Sequence, residues 1–134
     1  MKQFLLMYLQ RENIRMIARL IAILFLSREV AHRAHLSTTS FSQHMALGTF
    51  YDDIIDNADA IAEAYQGRNG LIGKIPMLTE ESTGDIADVL EKHLGMVEKL
   101  RYTAVDKTDT PIQNLIDTAV ETYLSTLYKL RNLK

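Results

Sequence analysis

The first 36 residues contain neither glycine nor proline, and within them Leu5, Leu9, Met16, Leu20, Ile23, Leu24 and Val30 recur at three- and four-residue steps. That period places side chains on one face of an α-helix and is incompatible with a strand, whose period is two. A break could fall near Arg11 to Asn13, where the apolar run is interrupted. Ser37–Thr38–Thr39–Ser40 then ends the segment, because such side chains compete for backbone hydrogen bonds.

The pattern repeats three times. Leu47, Phe50, Ile54, Ala58, Ile61 and Tyr65 form one stripe, with Gly67 as a natural stop. Ile86, Val89, Leu90, Leu94, Val97 and Leu100 form another, opened by Ser82 and Asp85 at capping-box spacing. The last begins with Thr110 as cap, Pro111 in the first position and Gln113 three after the cap. The expected helices span about 3–36, 42–66, 82–104 and 111–132. One glycine-rich, proline-containing connection, residues 67–84, joins the middle pair, and a connection of that length is functional or mobile. No stretch alternates with period two. The expectation is a single all-α domain over 1–134, a four-helix bundle.

Composition narrows the chemistry. A hydrophobic fraction of 47% is that of a soluble globular chain. Without cysteine there are no disulfides, thiolate metal sites or cysteine nucleophiles. The available ligands are four histidines and the carboxylates. A net charge of -2 exerts no global pull on nucleic acid. Leu20–Leu26 is too short to cross a bilayer. The opening MKQFLLMYLQREN has no cleavage site of a signal peptide, so a cytoplasmic location is expected.

The residues with most chemical potential are His35 and His44, which precede Asp52, Asp56, Asp59 and Glu63. At 3.6 residues per turn the four acids fall within about 60° of each other, roughly opposite the apolar stripe. A row of carboxylates is ordinarily a solvated face. As metal ligands they meet a distance problem: His44 and Asp59 lie about 22 Å apart along one helix axis. A twofold axis near residues 52 and 53 would bring His44 of one subunit beside the acids of another, giving two equivalent sites per dimer. Ala46 and Gly48 are small enough to permit close approach. His35, at the end of the first helix, would converge on His44, and His32, one turn earlier, competes for that place. Two nitrogens and two oxygens suit iron(II), zinc or manganese.

The string HMALGTFYDDIIDNADAIAE resembles the second helix of the Dps family, small ferritin-like proteins that oxidise and store iron. That family has a histidine ending its first helix and another opening the second. An aspartate follows fifteen residues on, and a glutamate four beyond that. His44, Asp59 and Glu63 match this spacing, and the match is best over residues 20–66. The resemblance implies a ferritin-like fold and oxidation of iron(II) by oxygen or peroxide at a dimer interface, protecting against oxidative damage. The implied ligands are His35, His44, Asp59 and Glu63. The family's usual histidine spacing selects His32, whereas the helix-ending position selects His35. Gly48 stands where the family has a further aspartate, and Asp52 is a partial substitute. Asp56 completes the acidic row. The resemblance implies a homodimer at least, and in full a twelve-subunit shell, although the 67–84 connection is shorter and richer in glycine than the family's. No lysine-rich tail precedes Phe4, so DNA binding through such a tail is not expected. Small Dps-like proteins of this length occur in phages and bacteria.

A second reading keeps the bundle without turnover, holding a structural metal or none, and the loss of an aspartate at Gly48 favours it. A third, nucleic-acid binding through Arg11, Arg15, Arg19 and Arg28 or the basic C-terminus, is weaker. His93 reads as a surface residue. No serine–histidine–acid arrangement is apparent.

Overall fold

The computed structural model describes residues 1–81 and 84–134. It contains four helices, α1 (Lys2–Ser37), α2 (Phe41–Asn69), α3 (Ile86–Ala104) and α4 (Thr110–Asn132), and among the described residues no strand. The all-α bundle expected from the period is present.

The boundaries follow from local chemistry. α1 runs unbroken through Arg11–Asn13. No glycine or proline interrupts it there, and Glu12 and Arg15 form a salt bridge one turn apart at 2.9 Å. Ser40 caps α2 by accepting from the Gln43 amide. Gly67 does not stop α2. The helix continues to Asn69 and ends at Gly70, whose φ of 90° only glycine adopts easily. The proposed Ser82 cap lies outside the described residues. α3 instead begins after Asp85, whose carboxylate accepts from the Ala87 amide at 2.9 Å. α4 starts one residue earlier than expected: the capping position is Asp109, without a side-chain cap bond, Thr110 is already helical, Pro111 lies in the first turn, and Gln113 does not serve a capping box. It is buried, and its amide nitrogen donates to the carbonyls of Arg101, Val105 and Asp106.

Each helix packs on two neighbours: α1 on α2 and α3, and α4 on α2 and α3. Neighbours run antiparallel. Asn57 of α2 meets Thr122 of α4, and further down α2 Arg68 pairs with Asp109. Arg101 of α3 bonds Gln113 and Asp117, while Asp88 and Glu91 meet Arg131 at the far end of α4. The diagonal helices α2 and α3 are therefore parallel. The connection between them must return the full length of the bundle, and its described residues follow α1: Ile75–Thr79 line one pocket with Ala22, Phe25 and Leu26, and Gly84 lines another with Ala34 and Ser37. One long crossover between two helical hairpins is among the connectivities open to a four-helix bundle.

α1 is wrapped through its middle, where Leu20, Ile21, Ile23 and Leu24 are inaccessible. They meet Leu47, Phe50, Ile54 and Ile61 from α2 and Leu90, Val97, Ile112 and Ile116 from the other pair in one core. The first eleven residues are exposed instead. Leu5 and Leu9, which continue the stripe in sequence, have no neighbours to bury them, because the other helices end before them. No helix among the described residues is long and apolar enough to cross a membrane.

Candidate metal centre at the α1–α2 turn

A turn of only three residues, 38–40, joins α1 to α2, so the last turn of one lies beside the first turn of the other. His35 and His44 face each other there, their rings stacked at 3.7 Å with an 18° interplanar angle. The bonding is reciprocal. His35 Nδ1 lies 2.6 Å from the His44 carbonyl oxygen, and His44 Nδ1 lies 2.8 Å from the His35 carbonyl oxygen. A carbonyl only accepts, so each Nδ1 carries the proton and donates. In the neutral ring the lone pair is then on Nε2, and neither Nε2 has a hydrogen-bond partner among the described residues. Fixing a ring through Nδ1–H to a carbonyl is also how metal-ligating histidines are commonly oriented.

Gly48 takes part in this geometry. A Cβ there would meet His35 Cε1 at 3.1 Å and Nδ1 at 3.3 Å. The missing side chain thus makes room for the His35 ring. An aspartate at this position would crowd the ring in its present place. His32 sits in the same cluster but differently engaged, stacked on Tyr51 at 4.3 Å, with its ring 6.3 Å from His35. His35, not His32, is the histidine paired with His44.

The acids are elsewhere. Asp52, Asp56, Asp59 and Glu63 are all exposed, and no hydrogen bond or salt bridge engages them among the described residues. Within one chain, no group of three or more histidine and carboxylate side chains among the described residues could hold a metal ion. The chain therefore brings together the two nitrogens and leaves the oxygens along α2, with like charges at i, i+4 opposing each other.

His93 corrects its surface reading. It is inaccessible, and both ring nitrogens are engaged. Nδ1 lies 2.8 Å from Ser27 Oγ, Nε2 lies 2.9 Å from a Glu80 carboxylate oxygen, and Ser27 Oγ lies 2.6 Å from the Tyr123 hydroxyl. An ionised Glu80 accepts from Nε2–H. Nδ1 then accepts from Ser27, and Ser27 accepts from Tyr123. In that direction every buried proton has an acceptor. The hydrogen bond from His93, helped by Lys92 nearby, holds the Glu80 carboxyl below its usual range, and burial pushes the Tyr123 phenol up.

The chain Ser27–His93–Glu80 has the residue types of a hydrolytic triad, which the sequence did not suggest. It cannot work as one in this form. Ser27 is inaccessible, and Glu80 belongs to the crossover that would have to lift to expose it. It is a polar tie through the core, joining α1, α3, α4 and the crossover. The available signal was spacing: His93 lies three after Leu90 and four before Val97, on the apolar stripe of α3.

The model of one protein family, described only as a family of unknown function, matches residues 35–130. No curated protein and no solved structure matches the chain.

Proposed function

The chain belongs to that family, DUF5856, and we propose that it binds iron(II) at a site shared between two subunits and passes the metal's electrons to oxygen or peroxide. The observation that carries this reading is the reciprocal His35–His44 pair, which orients two imidazoles and keeps both Nε2 atoms unpartnered. Two such nitrogens are half of a borderline-metal ligand set. The exposed, unpartnered Asp59 and Glu63 supply the oxygens when a second copy packs antiparallel on α2, which removes the axial distance that separates them in one chain. Like-charge repulsion along the acidic row is then offset by the cation. Zinc and manganese fit the same donors. The resemblance of this segment to Dps proteins supports iron as the substrate.

Gly48 favours a second reading, in which the site holds metal without fast turnover. The place of a further oxygen ligand is filled by the His35 ring.

Anaerobic iron(II) titration followed by oxygen or peroxide separates the two, with mass measured in parallel on the wild type, His44→Ala and Glu63→Ala. Saturable binding by a dimer, with oxidation lost in both variants, is expected. Binding lost in the variants but no oxidation in the wild type selects the second reading. Equal binding in all three proteins sinks both. Because ligation needs the Nε2 lone pairs, protons compete with the metal, and affinity should fall on acidification.

A further inference from the structure

The first three turns of α1 extend beyond the bundle by roughly 14 Å and carry Phe4, Leu5, Leu6, Met7, Tyr8 and Leu9, all exposed. The same helix is wrapped on all sides a few turns later, so the bare segment has the character of an interface rather than of a surface helix.

We infer that this overhang pairs antiparallel with the overhang of a second copy. Positions 2, 5, 9 and 12 fall within about 80° of one another at the helical period, with the three-four-three spacing of a coiled-coil seam. The seam is self-complementary about a twofold axis level with residue 7. Leu5 of each copy meets Leu9 of the other, and Lys2 meets Glu12. The charges therefore match only in the antiparallel arrangement. A parallel pair would set Lys2 on Lys2 and Glu12 on Glu12. Glu12 already holds Arg15 at 2.9 Å, and Lys2 adds a second cation from the other chain. Leu6 and Tyr8 flank the seam on opposite sides.

Leu5, Leu6, Tyr8 and Leu9 are 57%, 65%, 60% and 46% exposed. Covering them removes on the order of 500 Å² per copy and about 1,000 Å² for the pair, near the lower limit for a specific interface. The contact is accordingly weak and concentration-dependent. Phe4 and Met7 lie on the far side of the helix and take no part. This face is separate from the acidic face of α2, so a subunit with both contacts builds an assembly larger than a dimer.

The absence of native cysteine makes the register directly testable. Leu5→Cys and Leu9→Cys proteins are oxidised with diamide, separately and as an equimolar mixture, without added metal. The mixture should give a covalent dimer containing one of each, at several times the yield of either protein alone. Lys2→Glu should lower that yield, Glu12→Lys added to it should restore it, and Phe4→Ser should leave it unchanged. Equal yields from Leu5→Cys alone and from the mixture overturn the register. No covalent dimer overturns the contact, as does loss of the dimer on Phe4→Ser. Flotation of the uncrosslinked chain with phosphatidylcholine vesicles, with no dimer formed, would assign the stripe to a lipid surface instead. The α2 site is untouched by these changes, so its failure and the failure of this contact are read separately.

Discussion

The two histidine sites of this bundle use the same side chain in opposite ways. His93 is sealed in the core with both ring nitrogens bonded to protein groups. His35 and His44 sit half-buried at a helix turn, and each bonds the protein through Nδ1 alone. The first arrangement leaves nothing to offer a ligand and contributes to holding the fold. The second gives up little stability and keeps a donor atom at each ring. The number of ring nitrogens with protein partners, rather than burial by itself, separates a structural histidine from a candidate ligand.

The sharpest way to break this contrast is His93→Ala. It opens a cavity and strands the Ser27 hydroxyl, and it should cost about 3–5 kcal/mol in denaturant unfolding. A loss under about 1 kcal/mol would mean that the relay is not a structural tie.

Next comes the acid limb of stability. Glu80 is held below the usual carboxyl range, so its contribution is present above the unfolded value. It is lost as pH falls through the lower, folded one. Glu80→Gln keeps an acceptor for His93 but cannot titrate. Its unfolding midpoint should therefore change less than the wild type's between neutral pH and the acid range below pH ~4. Parallel curves would refute the linkage.

Tyr123→Phe should be milder, about 1 kcal/mol, because Ser27 can still donate to His93 and only one bond is removed. At the other site, Gly48→Ala should change stability by less than about 1 kcal/mol, since gained helix propensity opposes displacement of the His35 ring. The imidazole resonances of His35 should nevertheless shift, and metal affinity should drop. An unmoved ring would remove Gly48 from the account of the site.

Much of the fold was legible because the apolar period is local information. The stripe residues of α2, Leu47 through Tyr65, are all buried as their spacing requires. What escaped was set by tertiary context. Gly67 and Gly70 are equally good stops on paper, and only the backbone at Gly70 takes the positive φ. Gln113 has capping-box spacing but is drawn inward by the Arg101 guanidinium and three carbonyls. Polar identity hid His93 and Ser27, whose positions on their helices are apolar ones. In the candidate site, the nearness of His35 to His44 followed from the short turn. Their mutual bonding through backbone carbonyls has no sequence signature.

The crossover also has a kinetic side. The chain divides into two local hairpins, α1–α2 and α3–α4, and only residues 70–85 join them. His35 and His44 are nine residues apart within one hairpin, so little chain entropy opposes their meeting. Ser27 must find His93 and Tyr123 across separations of 66 and 96 residues. The imidazole pair should consequently be assembled early in folding, before the two hairpins have docked. Closure of the Ser27–His93–Tyr123 relay should report the last event. Pulsed hydrogen exchange would resolve the two, with amides of the α1–α2 turn protected ahead of those of α3 around His93.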